Sequence, residues 1–193
     1  MKTRKDLTLV LCILALCALT FGGCQTRERV PEIQTVSDPL IDRVDLVDIA
    51  VLKPVVRSKS TGMLAKHARE ECRKVLIERK MYSVPSDGFV DKNLSGRKLD
   101  PGRTAGVLGS DGVLEVVISD WDAKGLIPRG HIYAAGTFTL YGAGNSLWRR
   151  SFKDRKILAS IQVTSSNRAE AEGDAMRTLI RDILANLPNK KTR

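Results

Sequence analysis

Apolar residues fall along this 193-residue chain in blocks whose period changes from segment to segment. The first block is continuous, running from Leu7 to Phe21 behind Lys2, Arg4 and Lys5 and closing on Gly22-Gly23-Cys24. A charged start, a short apolar middle and small residues before a cut are the parts of an export signal, here residues 1–23. At about 15 residues the block falls short of the roughly 20 that a helix needs to cross a bilayer core, so a plain transmembrane anchor is not expected. Residues 24–45 carry Pro31, Pro39 and several charges without an apolar period, and are expected to form a disordered tether.

The periodic part begins at Leu46. Leu46 to Leu52 is a β-branched apolar run of strand length stopped by Lys53-Pro54, and its apolar character predicts a central strand. Ser58 and Ser60 offer N-caps for a helix reaching about Lys80, with Leu64, Ala68, Cys72, Val75 and Leu76 on one face. A short strand is predicted at Met81–Pro85 and a short helix within Ser86–Leu94. Asp100-Pro101 supplies a cap and a first-turn proline for a brief helix ending near Gly109. Val113 to Ser119 is a second strong strand, and Asp122 to Gly130, with Gly125, Pro128 and Gly130, reads as a loop.

Two strands follow, His131–Tyr141 and Ser146–Leu158, joined by the hairpin signal Gly142-Ala143-Gly144-Asn145. In the first, Ile132, Ala134, Gly136, Phe138 and Leu140 alternate with Tyr133, Ala135, Thr137, Thr139 and Tyr141. One face therefore meets the core, and the other meets solvent or a partner. The last helix spans about Arg168 to Leu187 with an apolar stripe from Ala171 to Leu187. Asn167 and Glu170 have the spacing of a capping box, and Pro188 stops the helix before a basic tail, 188–193. The expected fold is α/β of the α+β kind, a single mixed sheet of about five strands packed by two main helices, in one globular domain at 46–187.

Cysteine usage follows from the signal. Cys12 and Cys17 lie inside it, which leaves Cys24 and Cys72 and no disulfide framework. Cys72 falls on the apolar stripe of its helix and is expected to be a buried small hydrophobe. Net charge is +10 for the chain, and +8 once Lys2, Arg4, Lys5 and Asp6 are removed with the signal. Outside the inner membrane that balance points away from nucleic acid. It fits lipid headgroups, lipopolysaccharide, peptidoglycan, or a solvated surface.

Gly22-Gly23-Cys24 resembles the lipobox of bacterial lipoproteins, with Phe21 where leucine is commoner. The resemblance implies a diacylglycerol on the thiol of Cys24 and acylation of the freed amine, enough chains for stable anchoring. The alternative is a secreted protein cut nearby. Gln25 is not the aspartate that retains many lipoproteins at the inner membrane, which favours the periplasmic face of the outer membrane. Ile49 to Val55, Met81 to Pro85 with Val90-Asp91, Leu108 to Leu114 and Ile118 to Trp121 with Leu140 to Trp148 together resemble small envelope lipoproteins encoded beside CsgG-like, curli-secretion-type lipoproteins. Ser110 and Gly112 stand where that group commonly has alanine. This resemblance implies a fold related to CsgG and to the amino-terminal domain of TolB, an envelope protein partner, and a part in envelope assembly or transport without chemistry of its own. The order of elements is also similar to that of the lipopolysaccharide-assembly protein LptE, which generally lacks a helix equivalent to 100–108.

No catalytic constellation can be assembled. His67, Glu70 and Glu71 are similar to an H-x-x-E-H zinc helix, but Glu71 stands in place of the second histidine, and His131 is the only other one. His67 and Cys72 are five apart, about 140° round a helix, and cannot form a nucleophile and base. Ser58 to Thr61 lacks the glycines of a phosphate loop. Asp120 and Asp122 flank Trp121 and share a face, expected to be solvent-facing while Trp121 packs inward. The expectation is therefore a non-enzymatic lipoprotein with no cofactor and no metal, held to the membrane through Cys24. Its partner is an envelope protein or an anionic polymer, with the 122–130 loop and the tail as candidate contact segments.

Overall fold

The computed structural model of the chain describes residues 29–58, 61–97 and 99–190. The expected export signal at 1–23, Cys24, Ser60 and the end of the basic tail lie outside the described residues. Six strands are described: β1 (Glu32–Ser37), β2 (Ile49–Val51), β3 (Val55–Val56), β4 (Gly112–Asp122), β5 (His131–Gly142) and β6 (Asn145–Leu158). Five α-helices join them: α1 (Thr61–Glu78), α2 (Asp87–Leu94), α3 (Pro101–Leu108), α4 (Leu126–Arg129) and α5 (Arg168–Leu184). The sheet order is β1-β6-β5-β4-β2, with β3 also on β4. β2 and β3 run parallel to β4 and the remaining pairs are antiparallel, so this is the mixed sheet of an α+β fold.

The apolar stripes decide which face is covered. Leu64, Ala68, Cys72, Val75 and Leu76 of α1 and Leu179, Ile180 and Ile183 of α5 are buried together over Ile118, Phe138, Leu140, Trp148 and Phe152 of the sheet. Each valine, leucine, isoleucine or phenylalanine among them contributes roughly 1.5–3 kcal/mol on leaving water, so this layer is the main source of stability. A smaller cluster forms on the opposite face, where Val90 of α2 and Ala105 and Leu108 of α3 cover Ala50 and Val113. That patch covers only the β2 end of the sheet.

The central-strand expectation for 46–52 is corrected by this arrangement. β2 is short and stands at the end of the strand order; its apolar run reflects burial on both faces, Ile49 and Val51 on one and Ala50 on the other. Its outer edge receives one parallel bridge, Asp48 to Ser83. That bridge is all that forms of the strand expected at 81–85, because Met81 sits at φ 62° and Pro85 has no N–H to give. Arg69, almost fully buried on α1, fastens β2 from inside the layer. Its Nε and Nη2 donate to the Val51 carbonyl at 3.2 and 3.0 Å, and Nη1 meets Asp91 of α2 at 2.8 Å. That hydrogen bond holds the Asp91 carboxyl below its ordinary range.

The tether expectation for 24–45 is corrected from Glu32 onward. β1 pairs antiparallel with β6, from Glu32 opposite Lys153 to Ser37 opposite Trp148, and the turn Pro39–Asp42 then buries Ile41. All six residues of β1 are exposed, so ladder hydrogen bonds hold it and it carries no hydrophobic signature. At the other terminus, Pro188 accepts from the Tyr82 hydroxyl at 3.1 Å and Lys190 N donates to Lys80 O at 3.0 Å, so the start of the basic tail is docked. The loop read at 122–130 contains the turn of helix α4, closed by Gly130 in the left-handed region. Asn167 does not cap α5; its Oδ1 accepts from Thr164 N at 2.7 Å and its amide donates to Gln162 O, which turns it back toward the preceding loop.

The β5–β6 turn forms where its signal stands. Gly142 pairs with Asn145, and Ala143 and Gly144 between them have φ of 50° and 81°, the pair of positive values a type I′ turn requires. Alanine carries a Cβ penalty of about 1 kcal/mol there. Ala143→Asn is expected to raise stability by about 0.5–1 kcal/mol in urea titration with the denaturant slope unchanged.

Candidate functional site

On β1, β6, most of β5 and the far half of β4 the face away from α1 and α5 is not covered by any described helix; α3 reaches only the turn end of β5, where Gly102 lies against Gly144. The registers fix what it carries. Glu32 lies opposite Lys153, Gln34 opposite Ser151, and Val36 opposite Arg149; Ser151 then faces Thr137, and Arg149 faces Thr139. Thr137 and Ser151 share a hydroxyl contact at 3.2 Å, and Tyr141 donates to Glu115 at 3.3 Å. Burial, then the charge of Glu115, pushes the Tyr141 phenol up from its ordinary value, so Tyr141 stays a neutral donor. Small hydroxyls flanked by isolated charges make a surface that can hydrogen-bond a partner.

The face is dished. β4 slips register between Ile118 and Asp120, and β6 slips against β5 between Ala134 and Gly136, with Asp154 in the left-handed region at φ 50°. Bulges bend a strand and strengthen its twist. The result is an open cleft of about 420 Å³ with Ala135, Gly136 and Thr137 on its floor and Glu32, Gln34, Ser119 and Lys153 around it. β1 also leaves one of its edges outside the strand order, and six exposed residues with a single charge, Glu32, offer little to block pairing there.

The residues singled out for chemistry are kept apart. His67 lies on α1, 3.9 Å from Glu70 and 3.4 Å from Arg177, while His131 begins β5, its Nδ1 donating to Arg129 O at 3.3 Å and its ring lying edge-on to Tyr133 at 5.0 Å. Cys72 is completely buried, and burial pushes its thiol far above the ordinary range, with Glu71 adding to the shift. It is a core residue. Glu71 is also buried and is bound by Arg181 of α5 at 2.5 Å. Among the described residues no three histidine, cysteine or acidic side chains converge as metal ligands. Trp121 packs inward while Asp120 is exposed, and Asp122 meets Arg29 at 3.2 Å.

Arg29 is the residue the sequence reading missed. It lies in the stretch taken as tether, yet its guanidinium also reaches Asp154 at 3.4 Å and sits 4.8 Å from the centre of the Tyr133 ring. A single arginine among scattered charges gives no signal in sequence; both of its carboxylates are more than 90 residues away.

Among the described residues no helix is long and apolar enough to cross a membrane. No protein-family model matches the chain, and no curated protein matches it. Solved structures do. The PelC dodecamer from Paraburkholderia phytofirmans is 16% identical, with 84% of this chain and 100% of that chain covered at a TM-score of 0.55. A hypothetical protein of Chlamydia trachomatis is 15% identical over 73% of this chain and 95% of its own, at a TM-score of 0.47. A lipoprotein from Neisseria meningitidis is 16% identical over 70% and 99%, also at 0.47. Matched over the whole of the PelC chain, this protein shares its fold.

Proposed function

We propose that this protein is an envelope lipoprotein, anchored through acyl chains on Cys24, that acts as a non-catalytic component of an assembly or transport complex. The observation that carries the reading is the uncovered face of β1, β6, β5 and β4, which presents Gln34, Ser151, Thr137 and Arg149 to a partner behind an amino-terminal segment ending in a lipobox. Two strongly packed helices on the other face make the sheet a rigid platform for such contact. A protein of this fold occurs as a dodecamer, so further copies of this chain belong among the partners sought, beside a CsgG-like lipoprotein. A photo-crosslinking residue at Gln34 or Arg149 is expected to trap one defined neighbour in intact cells, and the same residue at Lys74 on α1 is expected not to. Equal, diffuse trapping from all three positions would remove the platform reading. Labelled palmitate is expected to enter the wild-type chain and not Cys24→Ser.

A second reading, binding of an anionic envelope polymer, is favoured by Arg149 and Lys153 on the same open face and by the +8 charge of the processed chain. Sedimentation with peptidoglycan or lipopolysaccharide that weakens as salt rises supports it, and no binding at low salt removes it.

A further inference from the structure

One end of the domain is defined by the topology. β4 runs toward it and ends at Asp122, β5 starts from it at His131, β6 returns to it at Leu158, and β1 leaves it at Glu32. The chain enters the described fold here. Arg29 is held between Asp122, Asp154 and the Tyr133 ring, which fixes the point from which the amino-terminal segment departs. Cys24 is five residues before Arg29, and five extended residues span at most about 18 Å. The β5–β6 turn, at the far end of a twelve-residue strand, lies roughly 40 Å away. An acyl anchor on Cys24 therefore brings this end, and not the opposite one, against the bilayer.

The surface there suits that position. Val30 is 81% exposed and Leu158 65%, with Ile127 of α4 and Ile161 beyond β6 also exposed. Leu158 and α4 are neighbours, since Leu158 pairs with His131 and Ala159 N donates to Gly130 O at 2.8 Å. The charges between these apolar residues are sorted. Asp122 and Asp154 are engaged by Arg29, Glu172 by Arg168 and Asp174 by Arg177, whereas Lys124, Arg129 and Lys156 have no carboxylate within salt-bridge distance among the described residues. Glu32, Asp120 and Glu170 are exposed acids that remain near this end. Isolated apolar side chains beside unpaired lysines and arginines match a membrane interface, where apolar groups enter the headgroup layer and cations meet phosphate.

We propose that this end of the domain docks directly on an anionic lipid surface, with Val30, Ile127, Leu158 and Ile161 in the headgroup layer and Lys124, Arg129 and Lys156 on lipid phosphates. The inference rests on the acylated Cys24 of the preceding section and adds that the domain stands end-on against the membrane rather than swinging on its tether. It fixes an orientation in which the open sheet face stands beside the membrane and remains available to a partner.

The test uses the processed lipoprotein with one environment-sensitive nitrobenzoxadiazole label, at Leu158→Cys or, at the opposite end, Asn145→Cys; Cys72 is buried and does not take label. In vesicles of phosphatidylethanolamine and phosphatidylglycerol the label at 158 is expected to shift to the blue and brighten, less so in phosphatidylcholine or at raised salt. The label at 145 is expected to keep its aqueous emission in all of them. Each basic residue near an anionic surface changes the docked-to-free ratio by about fivefold, so Lys124→Glu, Arg129→Glu and Lys156→Glu together are expected to return position 158 to aqueous emission. Matching emission at 158 and 145, or a shift that survives the triple substitution, overturns the docking. The mass of the amino-terminal cysteine peptide reports the anchor separately: a lipidated peptide with no shift sinks the docking alone, a bare peptide with a salt-sensitive shift sinks the anchor alone, and a bare peptide with no shift sinks both.

Discussion

Gly136→Val is expected to destabilise the domain by about 3 kcal/mol or more, the upper range for forcing extra methyl groups into a closed site. A Cβ at Gly136 would stand 2.4 Å from the Val117 carbonyl oxygen, 2.9 Å from Phe152 Cζ and 3.1 Å from Ile118 Cα. Two of the three obstacles are backbone, and they cannot retreat without opening the β4–β5 ladder beside the bulge at Ser119. For a domain of this size such a loss lowers the midpoint of thermal unfolding by roughly 6–12 °C. The control is Gly106→Ala in α3, where an added Cβ meets nothing within 4 Å. Relief of glycine's helix penalty there is expected to add about 0.5–1 kcal/mol. If the two variants melt together, close backbone approach at Gly136 is not what shapes the dish of the open face.

The elements legible in sequence are those whose side chains are sorted by burial. The stripe Leu64, Ala68, Cys72, Val75 and Leu76 is buried as its spacing requires, Asp100 caps α3 through Gly102 N, and Gly109 closes it in the left-handed region. The hairpin and the two-faced alternation of β5 follow the same logic. β1 was illegible for the converse reason: a strand exposed at every position has no period to read, and only the free edge of β6 makes Glu32–Ser37 extended. For β2 the apolar run predicts a central strand, whereas it reflects two covered faces on a strand at the end of the order. Hydropathy reports burial and is silent about which edge is paired.

The candidate surfaces divide in the same way. That β5 turns one face outward is visible from Tyr133, Ala135 and Thr137, although Thr139 on the same face is buried. The bulges at Ser119 and Asp154 that dish the face leave no trace in composition. The clamp on Arg29 and the pair Glu71–Arg181 depend on partners 93 to 125 residues apart, which a single sequence does not disclose.

That last pair joins the two helices of the covering layer, and Arg181→Ala is expected to cost about 3 kcal/mol. Glu71 faces α5 from within the α1 interface with its side chain 5% exposed, and Arg181, 40% exposed, closes over it at 2.5 Å. The hydrogen bond to Glu71 is the first reason the Arg181 guanidinium is held above the usual arginine range, with burial opposing it. Breaking a buried pair from one side leaves a carboxylate without its counter-charge, a loss of roughly 3–5 kcal/mol, and the exposure of Arg181 places this case at the low end. Glu71→Leu with Arg181→Leu removes both charges and is expected to recover most of the loss, because the interface around Cys72, Val75 and Ile180 is already apolar. Urea titrations of the two singles and the double give the coupling directly. A double variant no more stable than Arg181→Ala would mean that the pair fixes how α1 and α5 register, rather than merely neutralising a buried charge. In that case the rigidity of the sheet platform is set by this contact, and crosslinking from Gln34 should weaken in the double variant as well.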